Sequence, residues 1–127
     1  LGALETNKDS LITAINNLEA GGGTAFYDNV INVLNTVNDL QASDRIRSVI
    51  VINGSADSSS RRTFDDIIRS INASEDDKNP VIVIPVAYGS SAARDQLGNM
   101  ASASFTERQS ATPDTINDMM LHIASFF

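Results

Sequence analysis

Apolar residues along the chain fall into two patterns, and each predicts a kind of element. Ser48-Val49-Ile50-Val51-Ile52-Asn53-Gly54-Ser55 is apolar without alternation and stops at a polar tip, the pattern of a strand buried on both faces of a parallel sheet. Val81-Ile82-Val83-Ile84-Pro85-Val86-Ala87-Tyr88-Gly89, opened by Pro80, is a second such run. Pro85 donates no backbone hydrogen bond, so within a strand it implies a bulge or an unpaired side. The remaining apolar residues recur at helical spacing. Leu11, Ile12, Ile15 and Leu18 mark a helix opened by Thr6 with Asp9 three residues on, and closed at Gly21-Gly22-Gly23, where glycine takes the left-handed cap conformation. Thr24 then caps a second helix with the stripe Phe26, Val30, Leu34, Val37 and Leu40. After a polar surface loop from Ser55 to Arg62, Thr63 with Asp66 caps a third helix whose inner face is Phe64, Ile67, Ile68 and Ile71. Glu75 to Asn79 reads as a solvated acidic turn. Ser90 or Ser91 opens a short helix with Leu97, Met100 and Ala101 inward, followed by a weak strand near Ser104 to Glu107. Thr112-Pro113-Asp114 starts the last helix, striped by Ile116, Met119, Met120, Ile123 and Phe127. The order helix, helix, strand, helix, strand, helix, strand, helix predicts an α/β fold: a parallel sheet with helices on both faces. Ligands of such sheets sit beyond the carboxyl ends of the strands, which makes Asn53, Gly54 and Ser55 the first candidates for function.

Composition narrows the function classes. A chain of 127 residues with 42% apolar content makes one domain with a real core. Its formal charge of −7 argues against a nucleic-acid partner, whose affinity comes largely from phosphate contacts, and against an anionic membrane surface. No apolar run approaches the length that spans a bilayer, and residues 1–10 carry no signal pattern, so if the parent protein is exported its signal is expected upstream. With no cysteine, disulfides, thiolate metal sites and cysteine nucleophiles are excluded, without choosing a compartment.

Four stretches carry candidate chemistry. Gly21-Gly22-Gly23-Thr24 at a helix start can hold an anion on free N–H groups, but no lysine precedes Thr24 and the glycines follow a helix, so it is no P-loop. Gly89-Ser90-Ser91-Ala92-Ala93, with His122 downstream, has the placement of a hydrolase nucleophile elbow. Its second glycine is Ala93, a capping serine explains the same letters, and His122 falls on the flank of its helix as a surface histidine. Asp57-Ser58-Ser59-Ser60 resembles a hydroxyl-rich metal loop and reads equally as a solvated turn. Asn53-Gly54-Ser55 and Asn72-Ala73-Ser74 match the short glycosylation pattern.

Gly22-Gly23-Thr24-Ala25-Phe26-Tyr27-Asp28 resembles the Gly-Gly-Thr-x-x-Tyr-Asp loop and helix of von Willebrand factor A-like domains. The strands Val49 to Gly54 and Val81 to Gly89, Leu97 with Met100-Ala101, and Phe105 before a terminal helix follow that family's order over almost the whole chain. Val86-Ala87-Tyr88-Gly89 and Ile123-Ala124-Ser125-Phe126-Phe127 are most similar to the A-domain that follows an extracellular solute-binding domain in some bacterial proteins. The resemblance implies a Rossmann-like fold and a metal ion, usually Mg²⁺, held at the carboxyl edge by Asp-x-Ser-x-Ser, a threonine and an aspartate. Thr24 matches the threonine, Asn53 stands at the aspartate position, and Asp-x-Ser-x-Ser is absent. The chain therefore resembles the later part of an A-domain, without its first strand, first helix and following hairpin. Hard cations need carboxylate oxygens, so Thr24 and Asn53 are expected to form a weak or lost metal site, with no other cofactor. The implied function is a non-catalytic protein-interaction or adhesion-type module of a bacterial exported or cell-surface protein. Its binding rim would be Gly23, Thr24, Asn53, Gly54 and Ser55, and its protein partner stays unnamed. No nucleic acid is expected, nor membrane insertion by this segment. The missing first strand would leave Ser48 to Asn53 as an edge, covered by a retained upstream segment or by a second copy. The alternative is a small flavodoxin-like or receiver-like α/β module binding an anionic ligand at the Thr24 helix start.

Overall fold

Five helices and three strands follow one another in the expected order in a computed structural model that describes residues 4–19, 21–40, 46–75 and 80–126. They are α1 (Leu4–Asn16), α2 (Phe26–Asn38), β1 (Arg47–Asn53), α3 (Phe64–Glu75), β2 (Val81–Tyr88), α4 (Arg94–Ala103), β3 (Gln109–Ala111) and α5 (Ile116–Ala124). The strands form one parallel sheet in the order β1-β2-β3, with Arg47 opposite Val81 through Asn53 opposite Ala87, and Val86 opposite Gln109. Alternation along β2 sends Val81, Val83 and Ala87 into a core with α2, α3 and α4, and Ile84 and Val86 into a smaller one under α5. The fold is therefore α/β with helices on both faces of a parallel sheet. No helix among the described residues is long and apolar enough to cross a membrane.

The apolar stripes of α2 to α5 do what their spacing predicts, except that Leu40 lies past the end of α2 and is exposed. Phe26, Val30 and Leu34 of α2, Ile67 and Ile71 of α3, Leu97, Met100 and Ala101 of α4, and Met119 and Ile123 of α5 are buried. The third helix starts as read: Thr63 N–H donates to Asp66 Oδ2 at 2.7 Å, and Thr63 Oγ1 accepts from the Asp66 N–H at 3.4 Å, closing a capping box. Other starts differ. Thr6 lies inside α1, Ser90 and Ser91 precede α4 by a turn, and α5 begins only at Ile116 because Thr112 and Thr115 tie off the turn before it through a hydroxyl pair at 3.1 Å. The last strand lies at Gln109–Ala111, later than Ser104 to Glu107. Phe127 and most of the acidic turn, residues 76–79, lie outside the described residues.

Two strand expectations meet different fates. Pro85 does sit on an unpaired side. Backbone groups of Val83 and Gly89, which point the same way as those of Pro85 by two-residue alternation, bond to Ser104, Thr106 and Ala111. Beside Pro85 the pairing with β3 has not begun, so its missing N–H forfeits nothing. By contrast, β1 is not buried on both faces. It is an edge strand, with Val49 and Val51 buried beneath α2 while Ile50 and Ile52 are 37% and 51% exposed. The reason is that α5 sits toward β3 and no described element covers that face of β1.

Candidate functional site

A polar corner forms where β1 ends and α2 begins. Thr24 is fixed there from three directions. Its N–H donates to Ser58 Oγ at 2.9 Å, its carbonyl accepts the N–H groups of Ser58 and Ser59 at 2.9 and 3.1 Å, and its hydroxyl shares a hydrogen bond with Ser55 Oγ at 3.0 Å. The approach is close enough to require glycine before it: a Cβ on Gly23 would lie 3.0 Å from Ser59 Oγ and 3.1 Å from Ser59 Cβ. Gly22, at φ 74°, makes the left-handed turn that delivers the segment. Thr24 is thus not the side-chain cap of α2; Ala25 holds that position without a side-chain bond.

The cap comes from thirty residues away. Asp57 Oδ2 accepts the Tyr27 N–H at 3.1 Å and the Ser60 hydroxyl, and Oδ1 accepts the Ser60 N–H at 3.1 Å. Reciprocally, Asp28 in the first turn of α2 accepts the N–H groups of Arg61 and Arg62, both at 3.0 Å, while its own N–H donates to Ser60 Oγ at 3.1 Å. Two carboxylates at a helix N-terminus also suit its dipole. The loop from Ser55 to Arg62, read from sequence as solvated, is therefore stapled to α2. The local signal for it is the Asp57-to-Ser60 spacing, which is that of a side chain bonding its own following turn.

These bonds set the acidities. The Arg61 and Arg62 N–H groups hold Asp28 below the ordinary carboxylate value. For Asp57 burial acts upward, but the bonds from Ser60 and Tyr27 outweigh it and the net direction is down. The Thr63 N–H and hydroxyl lower Asp66. A carboxylate whose folded pKa is depressed stabilises the fold above its unfolded value of about 4, and that stability is lost as pH falls through the lowered folded value. Acid unfolding followed by circular dichroism is expected to steepen below about pH 4, and Asp28→Asn to flatten that limb. An identical limb in Asp28→Asn would show that the staple contributes nothing.

Gly23, Thr24, Asn53, Gly54 and Ser55 all line one groove of about 430 Å³, which runs along the open edge of β1 beneath Phe26, Asn29 and Val33 of α2. Asn53 contributes little side chain to it. It is 4% exposed, and its Oδ1 accepts the Ala93 N–H at 3.3 Å, pinning the loop before α4 to the end of β1. This donor set does not fit Mg²⁺. The hydroxyls of Thr24 and Ser55 face each other, the oxygen of Asn53 is engaged, and the nearby carboxylates of Asp28 and Asp57 are spent on N–H groups. Among the described residues no three His, Asp or Glu side chains gather as a ligand set.

The other candidates do not converge. Ser90 and Ser91 follow the carboxyl end of β2, whereas His122 lines a cleft with Ile46 and Ile82 near the amino ends of β1 and β2. His122 is exposed and its ring meets Phe126 edge-on, with centroids 4.9 Å apart. Asn72 of the second glycosylation pattern lies within α3. No family model matches the chain, and no curated protein matches it.

Proposed function

We propose that the chain is the later part of a von Willebrand A-like domain and serves as a non-catalytic protein-interaction module of a bacterial exported or cell-surface protein. The observation that carries the reading is the corner of Thr24, Ser55 and Ser58. There a segment with the family's Gly-Gly-Thr pattern meets the end of a parallel strand through hydroxyl groups, with its carboxylates consumed internally. Such a rim is preorganised, neutral and rich in hydrogen-bonding groups, which suits docking of a protein surface better than proton transfer or nucleophilic attack. The open edge of β1 adds a second place for protein contact, where an upstream segment or another copy would pair its backbone.

The metal site of this module is degenerate. Calorimetric titration with Mg²⁺ or Mn²⁺ at neutral pH is expected to give no binding tighter than about millimolar, because neutral oxygens alone do not compensate a divalent charge. A micromolar dissociation constant would reopen metal-dependent adhesion. The reading of an anionic-ligand module at the Thr24 helix start is disfavoured by Asp57, whose carboxylate already occupies the N–H groups an anion would use.

The interaction itself is tested by placing a photo-crosslinking residue at Ser55 of the parent protein in its own cells. A discrete protein adduct is expected that Thr24→Lys abolishes and that the same group at Arg108, remote from the rim, does not form. Absence of any adduct at Ser55, or equal adducts at both positions, would sink the proposal.

A further inference from the structure

Two apolar surfaces of this chain have no partner among the described residues, and their lengths match. The first is α1. Leu11, Ile12 and Ile15 lie along one side, opposite Asp9, Thr13 and Asn16, and are 45–63% exposed; Leu18, just past the end of the helix, is exposed as well. Among the described residues no part of α1 approaches another helix or strand. The second is the bare face of β1, where Ile46, Ile50 and Ile52 share one side by two-residue alternation and are all exposed. It continues into a cleft of about 350 Å³ lined by Ile46, Ile82, Ile84 and Phe126 beside the end of α5.

This face has room for one helix. The backbone of α5 comes close to β3 alone among the strands. At a strand spacing of about 4.8 Å, β1 lies about 10 Å from β3, the distance at which a second helix packs beside α5. A helix of 13 residues is about 20 Å long and a strand of seven about 23 Å, so α1 spans the seat.

We infer that α1 is the cover of this face and docks on β1 of its own chain, running parallel to the strand. The tether sets that direction. Thr24 is anchored at the carboxyl end of β1, and residues 17–23 reach at most about 23 Å from it, enough to pass around the open edge and place the last turn of α1 beside Ile52. So short a tether gives α1 an effective concentration of order millimolar for its own seat, which outcompetes a second molecule at ordinary concentrations. Docking buries two stripes that are otherwise wet and completes a layer of two helices on that face; release exposes the β1 face to other partners.

Hydrogen exchange on the whole chain tests this, because a 13-residue helix standing free in water is only marginally formed. Amides of α1 are expected to be protected at least about tenfold relative to the Ile15→Asp variant. The double variant Ile50→Asp with Ile52→Asp, which changes only the seat, is expected to remove that protection while leaving the amides of β2 unaffected. Exchange of α1 at unfolded-chain rates, or protection that survives the seat variant, would overturn the inference. A second measurement uses the absence of cysteine. Ile15→Cys paired with Ile50→Cys is expected to oxidise to an intramolecular disulfide, far faster than Ile15→Cys paired with Asn72→Cys, an exposed position of α3 on the other face of the sheet. Equal rates for the two pairs, or a predominantly dimeric product, would show that α1 does not occupy its own seat.

Discussion

Leu34→Ala is expected to destabilise the protein by about 2–5 kcal/mol, the range for emptying a fully buried leucine site. Leu34 has no exposed surface and packs in the core that joins α2 to β1 and α3, among Val30, Val49, Ile67 and Ile71. Its loss removes the transfer free energy of the missing carbons and leaves a cavity that a helix pinned at its N-terminus by Asp57 cannot collapse to fill. For a domain with 5–15 kcal/mol of total stability this is a large share. The neighbouring Val33 is the internal control: it is exposed, and Val33→Ala should change stability by no more than about 0.5 kcal/mol. Urea denaturation is expected to show a lower midpoint for Leu34→Ala at unchanged slope. A loss below about 1 kcal/mol would mean that α2 is not packed against the sheet through this stripe.

The element order was readable because the helical period and the apolar runs are each local properties of the chain. What covers an element is not local. The run from Val49 to Ile52 has the letters of a strand enclosed on both sides, yet it is an edge with Ile50 and Ile52 exposed, because enclosure depends on where α5 and α1 go. The start of α2 fails for a related reason, while that of α3, capped within its own segment by Thr63 and Asp66, does not. Thr24 has the side chain of a cap, but its hydroxyl finds Ser55, and Asp57 takes over the capping from thirty residues away. In the candidate site, the convergence of Thr24 with Asn53, Gly54 and Ser55 on one groove follows from the order of the motifs and from the rule for strand ends. The exchange of carboxylates between Asp28 and the Ser55-to-Arg62 loop does not, since no pattern in either segment names the other. Burial of Asn53 beneath Ala93 also escaped a reading that placed it on the rim.

Ser104→Ala is expected to cost about 1–3 kcal/mol, although it removes a single oxygen from a half-buried turn, because the loss falls on the buried backbone of β2. β3 is only three residues long and meets β2 at Val86 to Tyr88, so Val83 has no strand on that side. Side chains stand in for the strand. The Val83 N–H donates to Ser104 Oγ at 2.7 Å, and the Val83 carbonyl accepts from Thr106 Oγ1 at 2.6 Å. Val83 is fully buried, so water does not replace either partner. Thr106→Val should cost less than Ser104→Ala, because a buried carbonyl tolerates an unmet lone pair better than a buried N–H tolerates having no acceptor. The two effects are expected to be non-additive in a double-mutant cycle, since both hydroxyls hold the same residue and lie in the same turn. Hydrogen exchange should localise the effect of Ser104→Ala to the Val83 amide, with the amides of β1 unchanged. Losses below about 0.5 kcal/mol for both variants, the level of ordinary surface changes, would show that β2 does not depend on these hydroxyls for its free side.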